Sequence, residues 1–94
     1  MQKWGYNFMI HPDKDVFMRI ITAKQFGELI LKARKAAGLT QSQLSAASNV
    51  GERFIRELEK GKITCQLEKS LLIAQMLGIK FEAILPPSTE DRKL

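Results

Sequence analysis

Ninety-four residues, 45% of them hydrophobic and only three of them proline, describe a globular chain with room for one core and no second lobe. Apolar stretches such as Leu29-Ile30-Leu31 and Leu71-Leu72-Ile73-Ala74 stop far short of the roughly 20 residues that span a bilayer. No secretory pattern opens the chain, and the single cysteine, Cys65, cannot close an internal disulfide, so a cytoplasmic location is expected. A net charge of +5 and a pI near 9.6 point to a polyanionic partner, because each phosphate neutralised releases condensed counterions.

In chain order, residues 1 to 15 show no clear period and read as an irregular arm, in which Trp4, Tyr6, Phe8 and Ile10 alternate as in a short extended piece. Val16 to Ile21 is β-prone and predicts a short strand. Thr22 then reads as an N-cap, with Gln25 completing a capping box. Phe26, Leu29, Ile30, Ala33 and Ala37 follow at helical spacing, and Gly38 supplies the stop. Thr40 with Gln43 repeats the capping box and opens a short second helix through about Ala47. Ser48 to Gly51 is a turn, in which Asn49 is the best non-glycine candidate for a left-handed backbone.

A third helix is expected from about Gly51 to Lys60, with Val50, Ile55 and Leu58 inward and Gly61 as its end. A fourth runs from about Gln66 to Leu77 with Leu67, Leu71, Ala74 and Leu77 or Met76 facing inward, and it stops at Gly78. Residues 79 to 85 set Ile79, Phe81, Ala83 and Leu85 against Lys80, Glu82 and Ile84, an alternation that predicts a strand. Pro86-Pro87 ends it, and the rest is a polar tail. The resulting organisation is an arm (1–21), a helical domain (22–78), a dimerisation strand (79–85) and a tail (86–94).

The segment from Leu39 to Gly61 carries the function. Two short helices joined by a tight turn have the spacing of a helix-turn-helix, with Ser45 small where the helices cross and Ile55 and Leu58 plugging the second onto the first. Glu52, Arg53, Arg56 and Glu57 are left on the outer face, with Arg53 and Glu57 one helical turn apart. A helix exposed in this way suits the major groove, where its N-terminal residues meet base edges. Charge is concentrated here too: residues 24 to 62 hold eight Lys/Arg against four Glu. Lys32, Arg34 and Lys35 read either as a solvated face or as DNA contacts. Glu52 and Glu57 read either as caps and salt-bridge partners or as acceptors for cytosine N4. Phe54 reads as packing, with contact to a thymine methyl as the alternative, and Cys65 as a buried small hydrophobe, with redox sensing as the alternative.

His11 has no companions at metal-ligand spacing, and the chain has no nucleophile elbow, glycine-rich phosphate loop or His-carboxylate pair. Neither enzyme activity, cofactor nor metal is expected.

From Thr40-Gln41 through Gly61, with Leu-Glu-x-Gly closing the third helix, the sequence resembles the Cro/C1-type (XRE) repressor family. The wording from Val50 to Lys62, and its continuation from Thr64 to Gly78, is closer still to HipB-type antitoxins. The resemblance covers about residues 22 to 85. It implies an all-α, lambda-repressor-like domain of four to five helices with a short C-terminal β-strand. It also implies that Gln41 anchors a phosphate and that Glu52, Arg53 and Glu57 read bases, to which the position of Arg56 adds a fourth reader. Thr40, Lys60 and Lys62 join Gln41 as expected phosphate contacts. The implied partners are palindromic double-stranded operator DNA, a second copy joined through the final strand, and a HipA-type kinase toxin. Ser45 for the usual Ala, Asn49 for the usual Gly, and the arm 1–17 depart from the family pattern.

Overall fold

The computed structural model describes residues 17–87, which form four helices: α1 (Ala23–Ala36), α2 (Gln41–Ser48), α3 (Glu52–Glu59) and α4 (Leu67–Met76). The arm residues Trp4, Tyr6, Phe8, Ile10 and His11 lie outside this range, as does most of the polar tail.

Local chemistry sets the helix boundaries. Thr22 Oγ1 accepts from the Gln25 amide at 3.1 Å, while Gln25 Oε1 accepts from the Thr22 amide at 3.1 Å. Thr40 and Gln43 repeat the reciprocal pair at 3.0 and 2.9 Å. Each box satisfies amides that the first helical turn otherwise leaves without partners. At the other ends, α1, α3 and α4 share one solution. The amides of Gly38, Gly61 and Gly78 reach back to Lys35, Leu58 and Gln75, and those of Leu39, Lys62 and Ile79 reach Arg34, Glu57 and Ala74. This is the Schellman arrangement, built on a left-handed residue after the cap. Between α2 and α3 that conformation falls to Asn49, at φ 58° and ψ 31°, where an Asn side chain is tolerated better than most.

Ile30, Ala33, Leu44, Val50, Ile55, Leu58, Ile73, Ala74 and Leu77 make the core, drawn from all four helices. Burying each large aliphatic side chain contributes about 1.5–3 kcal/mol. Phe54 is half-buried against this core, and Lys69 of α4 sits 5.8 Å from its ring centre. α1 and α3 approach closely at a glycine. A Cβ on Gly27 would lie 2.4 Å from the Leu58 carbonyl oxygen and 2.8 Å from that of Glu59. Gly61, at φ +87°, lies similarly close to the Lys24 backbone.

Two expectations are corrected here. The inward face of α4 is Ser70, Ile73, Ala74 and Leu77, while Leu67, Leu71 and Met76 are exposed. Ser70 is tolerated inside because its hydroxyl donates to the Gln66 carbonyl at 2.8 Å, which satisfies the polar group without a tertiary partner. Secondly, among the described residues there is no strand: 17–21 and 79–86 are without ladder pairing. Alternation favours a strand-like backbone, but a strand exists only where a second edge accepts its hydrogen bonds. Here Ile79 packs against the core, and the Phe81 ring stacks on Phe26 at 5.6 Å between centroids.

Candidate nucleic-acid interface

α3 stands on the outside of the domain, with α1 and α2 behind it. Ile55 and Leu58 are buried beneath it, which turns Glu52, Arg53 and Arg56 outward to solvent and leaves Glu57 at the flank. The entry to α3 is held by Ser45, whose hydroxyl donates to the Val50 carbonyl at 2.7 Å, so the serine does more than keep the crossing narrow.

The outer face is a lattice of ion pairs. Arg53 Nε donates to Glu57 Oε2 at 3.2 Å, and Lys62 Nζ donates to Glu57 Oε1 at 3.0 Å. Arg56 lies 3.8 Å from Glu52. Lys62 returns to Glu57 because of the turn that ends α3: the Lys62 amide already donates to the Glu57 carbonyl at 3.1 Å. The Lys62 ammonium, followed by the Arg53 guanidinium, holds the Glu57 carboxyl below its ordinary range. It is therefore charged at any neutral pH.

Behind this face lies a second ionic group of a different kind. Arg34 of α1 forks onto Glu59 at the C-terminal end of α3, with Nε to Oε2 at 2.6 Å and Nη2 to Oε1 at 3.1 Å. Both residues are buried, at 8% and 9% exposure, so their charges are nearly removed from water. The remaining Arg34 nitrogen, Nη1, donates to the Leu39 carbonyl in the α1–α2 connection at 2.8 Å. Gln41 Nε2 at the start of α2 donates to Glu59 Oε1 at 2.9 Å. One cluster thus ties α1, the connection, α2 and α3 together and sets the pose of the outer helix.

Sequence reasoning did not single out Glu59 and left Arg34 between surface and DNA contact; the structure buries both. A signal was present. Arg34 falls four residues after Ile30 and Glu59 four after Ile55, so each sits on the stripe of its helix that faces inward.

Of the expected phosphate contacts, Thr40, Lys60 and Lys62 lie near the ends of α2 and α3, with Thr40 and Lys60 exposed, and Gln41 is half-buried in the cluster. Thr40 uses its oxygen as the cap acceptor, which leaves its O–H proton for a phosphate. Gln41 likewise has a second amide hydrogen beyond the one given to Glu59. The four expected dimerisation residues are divided: Ile79 packs into its own core, Phe81 is half-exposed on Phe26, and Ala83 and Leu85 are exposed. Cys65, between α3 and α4, is half-buried against the core, and that burial pushes its thiol above the ordinary range.

The sequence profile of the helix-turn-helix family matches residues 30–84. The chain is 40% identical over 68 residues to the HTH-type transcriptional regulator y4mF of Sinorhizobium fredii (strain NBRC 101917 / NGR234), a match covering 72% of this chain and 90% of that relative. Two solved structures share its fold. One is a HipB–O4 20mer complex, with a TM-score of 0.66 at 22% identity, covering 72% of this chain and 96% of the other. The second is a complex of a single-substitution HipB variant with an O2 20mer, with a TM-score of 0.67 at 20% identity, covering 73% and 96%.

Proposed function

The chain belongs to the XRE-type helix-turn-helix family, and we propose that it is a sequence-specific DNA-binding transcriptional repressor acting as a homodimer on a palindromic operator. The observation that carries this reading is the pose of α3. Its inner side is locked by Ile55, Leu58 and the buried Arg34–Glu59 pair, while its outer side offers Arg53 and Arg56 to solvent. In the major groove these two arginines donate to guanine edges, with Glu52 and Glu57 beside them on the reading face. Thr40, Gln41, Lys60 and Lys62 meet the flanking phosphates and position the helix without reading sequence. The relatives support the reading: one is a regulator by name, and the HipB structures of like fold are complexes with 20mers.

The homodimer rests on exposed apolar surface. Leu67, Leu71, Leu72 and Met76 on α4, with Phe81, Ile84 and Leu85 beyond it, are all at least 40% exposed. Residues 79–85 alternate as a strand does but form none within the described part of this chain, and a second copy of the same segment is their proposed partner. A two-fold contact there sets the reading helices about 34–36 Å apart, one turn of DNA. Truncation before Lys80 followed by sedimentation checks this. The expected product is a monomer with lost operator affinity, and a truncated chain that remains dimeric places the interface elsewhere.

The biological role that fits is the HipB-like antitoxin of a toxin–antitoxin operon. In that role it represses its own promoter in the cytoplasm and meets a HipA-type kinase toxin. The same exposed apolar face favours a second reading, a module that neutralises a toxin and touches DNA only secondarily. Mobility shifts with the promoter region at graded salt separate the two. For about six phosphate contacts per dimer, affinity falls by roughly three decades between 50 and 200 mM salt. A response flat in salt would abandon the repressor reading for the second.

A further inference from the structure

We propose that Glu57 sets sequence specificity by competing, within the protein, for the cations that would otherwise bind any DNA backbone. The proposal rests on the DNA-binding reading above and names how that site discriminates. Its starting point is that Glu57 has both carboxylate oxygens engaged, Oε2 by Arg53 at 3.2 Å and Oε1 by Lys62 at 3.0 Å.

Three features make this more than an incidental surface contact. First, the Lys62 pairing is built into the backbone. The turn through Gly61 bonds the Lys62 amide to the Glu57 carbonyl at 3.1 Å, which returns the lysine side chain over the carboxylate of the same residue. Secondly, the two cations come from the two classes of expected contact: Arg53 from the base-reading face and Lys62 from the phosphate-holding rim. Thirdly, Arg56 is matched by Glu52 at 3.8 Å, so each arginine of the reading face faces a carboxylate of its own helix one turn away.

The physical consequence follows from the nature of non-specific binding. That binding is almost wholly electrostatic and grows with the number of phosphates neutralised. A carboxylate already seated between Arg53 and Lys62 lowers the gain from placing either cation on a phosphate. A correct base pair offers Arg53 something Glu57 does not, the paired acceptors O6 and N7 of guanine at the fixed spacing of a guanidinium fork. Any duplex therefore has to displace the carboxylate, and only the right one returns more than it displaces. The carboxylate costs affinity everywhere and costs least at the preferred site.

The test is Glu57→Gln, which keeps the shape and raises the net charge from +5 to +6. Binding is measured against two duplexes of about two helical turns, ~20 base pairs each. One has a scrambled sequence, and the other is recovered from a random pool by selection with the wild-type protein. The variant is expected to bind the scrambled duplex roughly three- to tenfold tighter, as the loss of exposed ion pairs allows. Its salt slope should steepen by about 0.9 per subunit, the value of one further phosphate contact. The ratio of selected to scrambled affinity should fall, and repeated selection with the variant should return a flatter sequence preference. In a Lys62→Gln background most of the gain on scrambled DNA should disappear. Should Glu57→Gln melt before measurement, Glu57→Asp, whose shorter arm loosens both contacts, is expected to move scrambled binding in the same direction.

Loss of affinity for the selected duplex with scrambled binding unchanged overturns the proposal, because Glu57 would then be a direct acceptor for a base. Unchanged affinity for both duplexes also overturns it. A wild-type protein that binds neither duplex at low salt removes the DNA-binding reading itself, and the proposal with it.

Discussion

The two ionic groups around α3 are each built on an arginine–glutamate pair and differ in how much water reaches them. On the outer face, Arg53 is 83% exposed and its Glu57 partner 30%; beneath the helix, the Arg34 and Glu59 side chains are 10% and 5% exposed. The outer pairs keep far more of their water than the inner one and can exchange partners at little cost, since solvent screens exposed ion pairs. The inner pair has given up its water and cannot. A buried pair is held less by net attraction than by the penalty of separating it, which is about 3–5 kcal/mol when one partner is removed. An interface that must trade one anion for another belongs on the first kind of group, and the frame that aims it belongs on the second.

The comparison breaks most directly at Arg34. Arg34→Met leaves the Glu59 carboxylate buried without its cation and is expected to lower unfolding free energy by about 3–5 kcal/mol. Urea denaturation followed by circular dichroism measures this. The double variant Arg34→Met/Glu59→Leu should regain much of the loss, because the pair's desolvation cost goes with it. A single-variant loss under about 1 kcal/mol would mean that the inner pair behaves like an outer one.

A second test leaves the charges alone and moves the frame. Gly27→Ala places a methyl 2.4 Å from the Leu58 carbonyl oxygen, a backbone atom that cannot swing aside, so α1 and α3 must separate. The expected cost is about 1–3 kcal/mol, read as a lower thermal midpoint. Because α3 shifts with it, DNA affinity should fall as well, although residue 27 is buried and far from the reading face in sequence.

The outer face gives the opposite pattern. Arg53→Ala should change stability by no more than about 0.5 kcal/mol, yet cost about 1–3 kcal/mol on the preferred duplex. Gln41→Ala should instead weaken all duplexes alike. Thermal melts and titrations on selected and scrambled DNA decide both; equal losses on the two duplexes for Arg53→Ala would move it from reading to anchoring.

The smallest effects are in pH. The Glu57 carboxyl is held low by Lys62 and Arg53, so its contribution to stability is present above the ordinary carboxylate value and is lost as pH falls through the lowered one. Glu57→Gln should flatten that part of the acid-stability curve. Cys65 has the opposite sign: burial raises its thiol, so its contribution is present below the ordinary thiol value and is lost as pH rises through the raised one. Alkylation of Cys65 by iodoacetamide should be slower in the folded protein than in the urea-unfolded chain at the same mildly alkaline pH. Equal rates would show the thiol to be as free as in a peptide.

Much of this architecture is legible residue by residue. The pairs Thr22/Gln25 and Thr40/Gln43 mark two helix starts, Gly38, Gly61 and Gly78 mark three ends, and Asn49 marks the left-handed turn. In each case a side chain or a glycine acts on backbone groups within a few positions of itself, so the causes are all visible in a short window. The outward setting of Arg53 and Arg56 is legible for the same reason, once Ile55 and Leu58 define the inner side of the helix.

What the window does not contain is which surface meets which. LEKSLLIAQM offers α4 more than one apolar stripe, and only the packing of Ile73, Ala74 and Leu77 against the other helices puts Leu67 and Leu71 outside. Residues 79 to 85 alternate as a strand should, but pairing is a property of two edges, and the described residues of this chain supply one. The Arg34–Glu59 contact joins residues 25 apart, so neither sequence neighbourhood shows that its charge will be matched. Helix starts, helix ends and the outward face of α3 were therefore determined by the sequence alone, because short-range hydrogen bonding and helical period decide them. The buried cluster, the inner face of α4 and the lack of a strand at 79–86 among the described residues were decided by the tertiary structure, because desolvation and pairing exist only once distant segments meet.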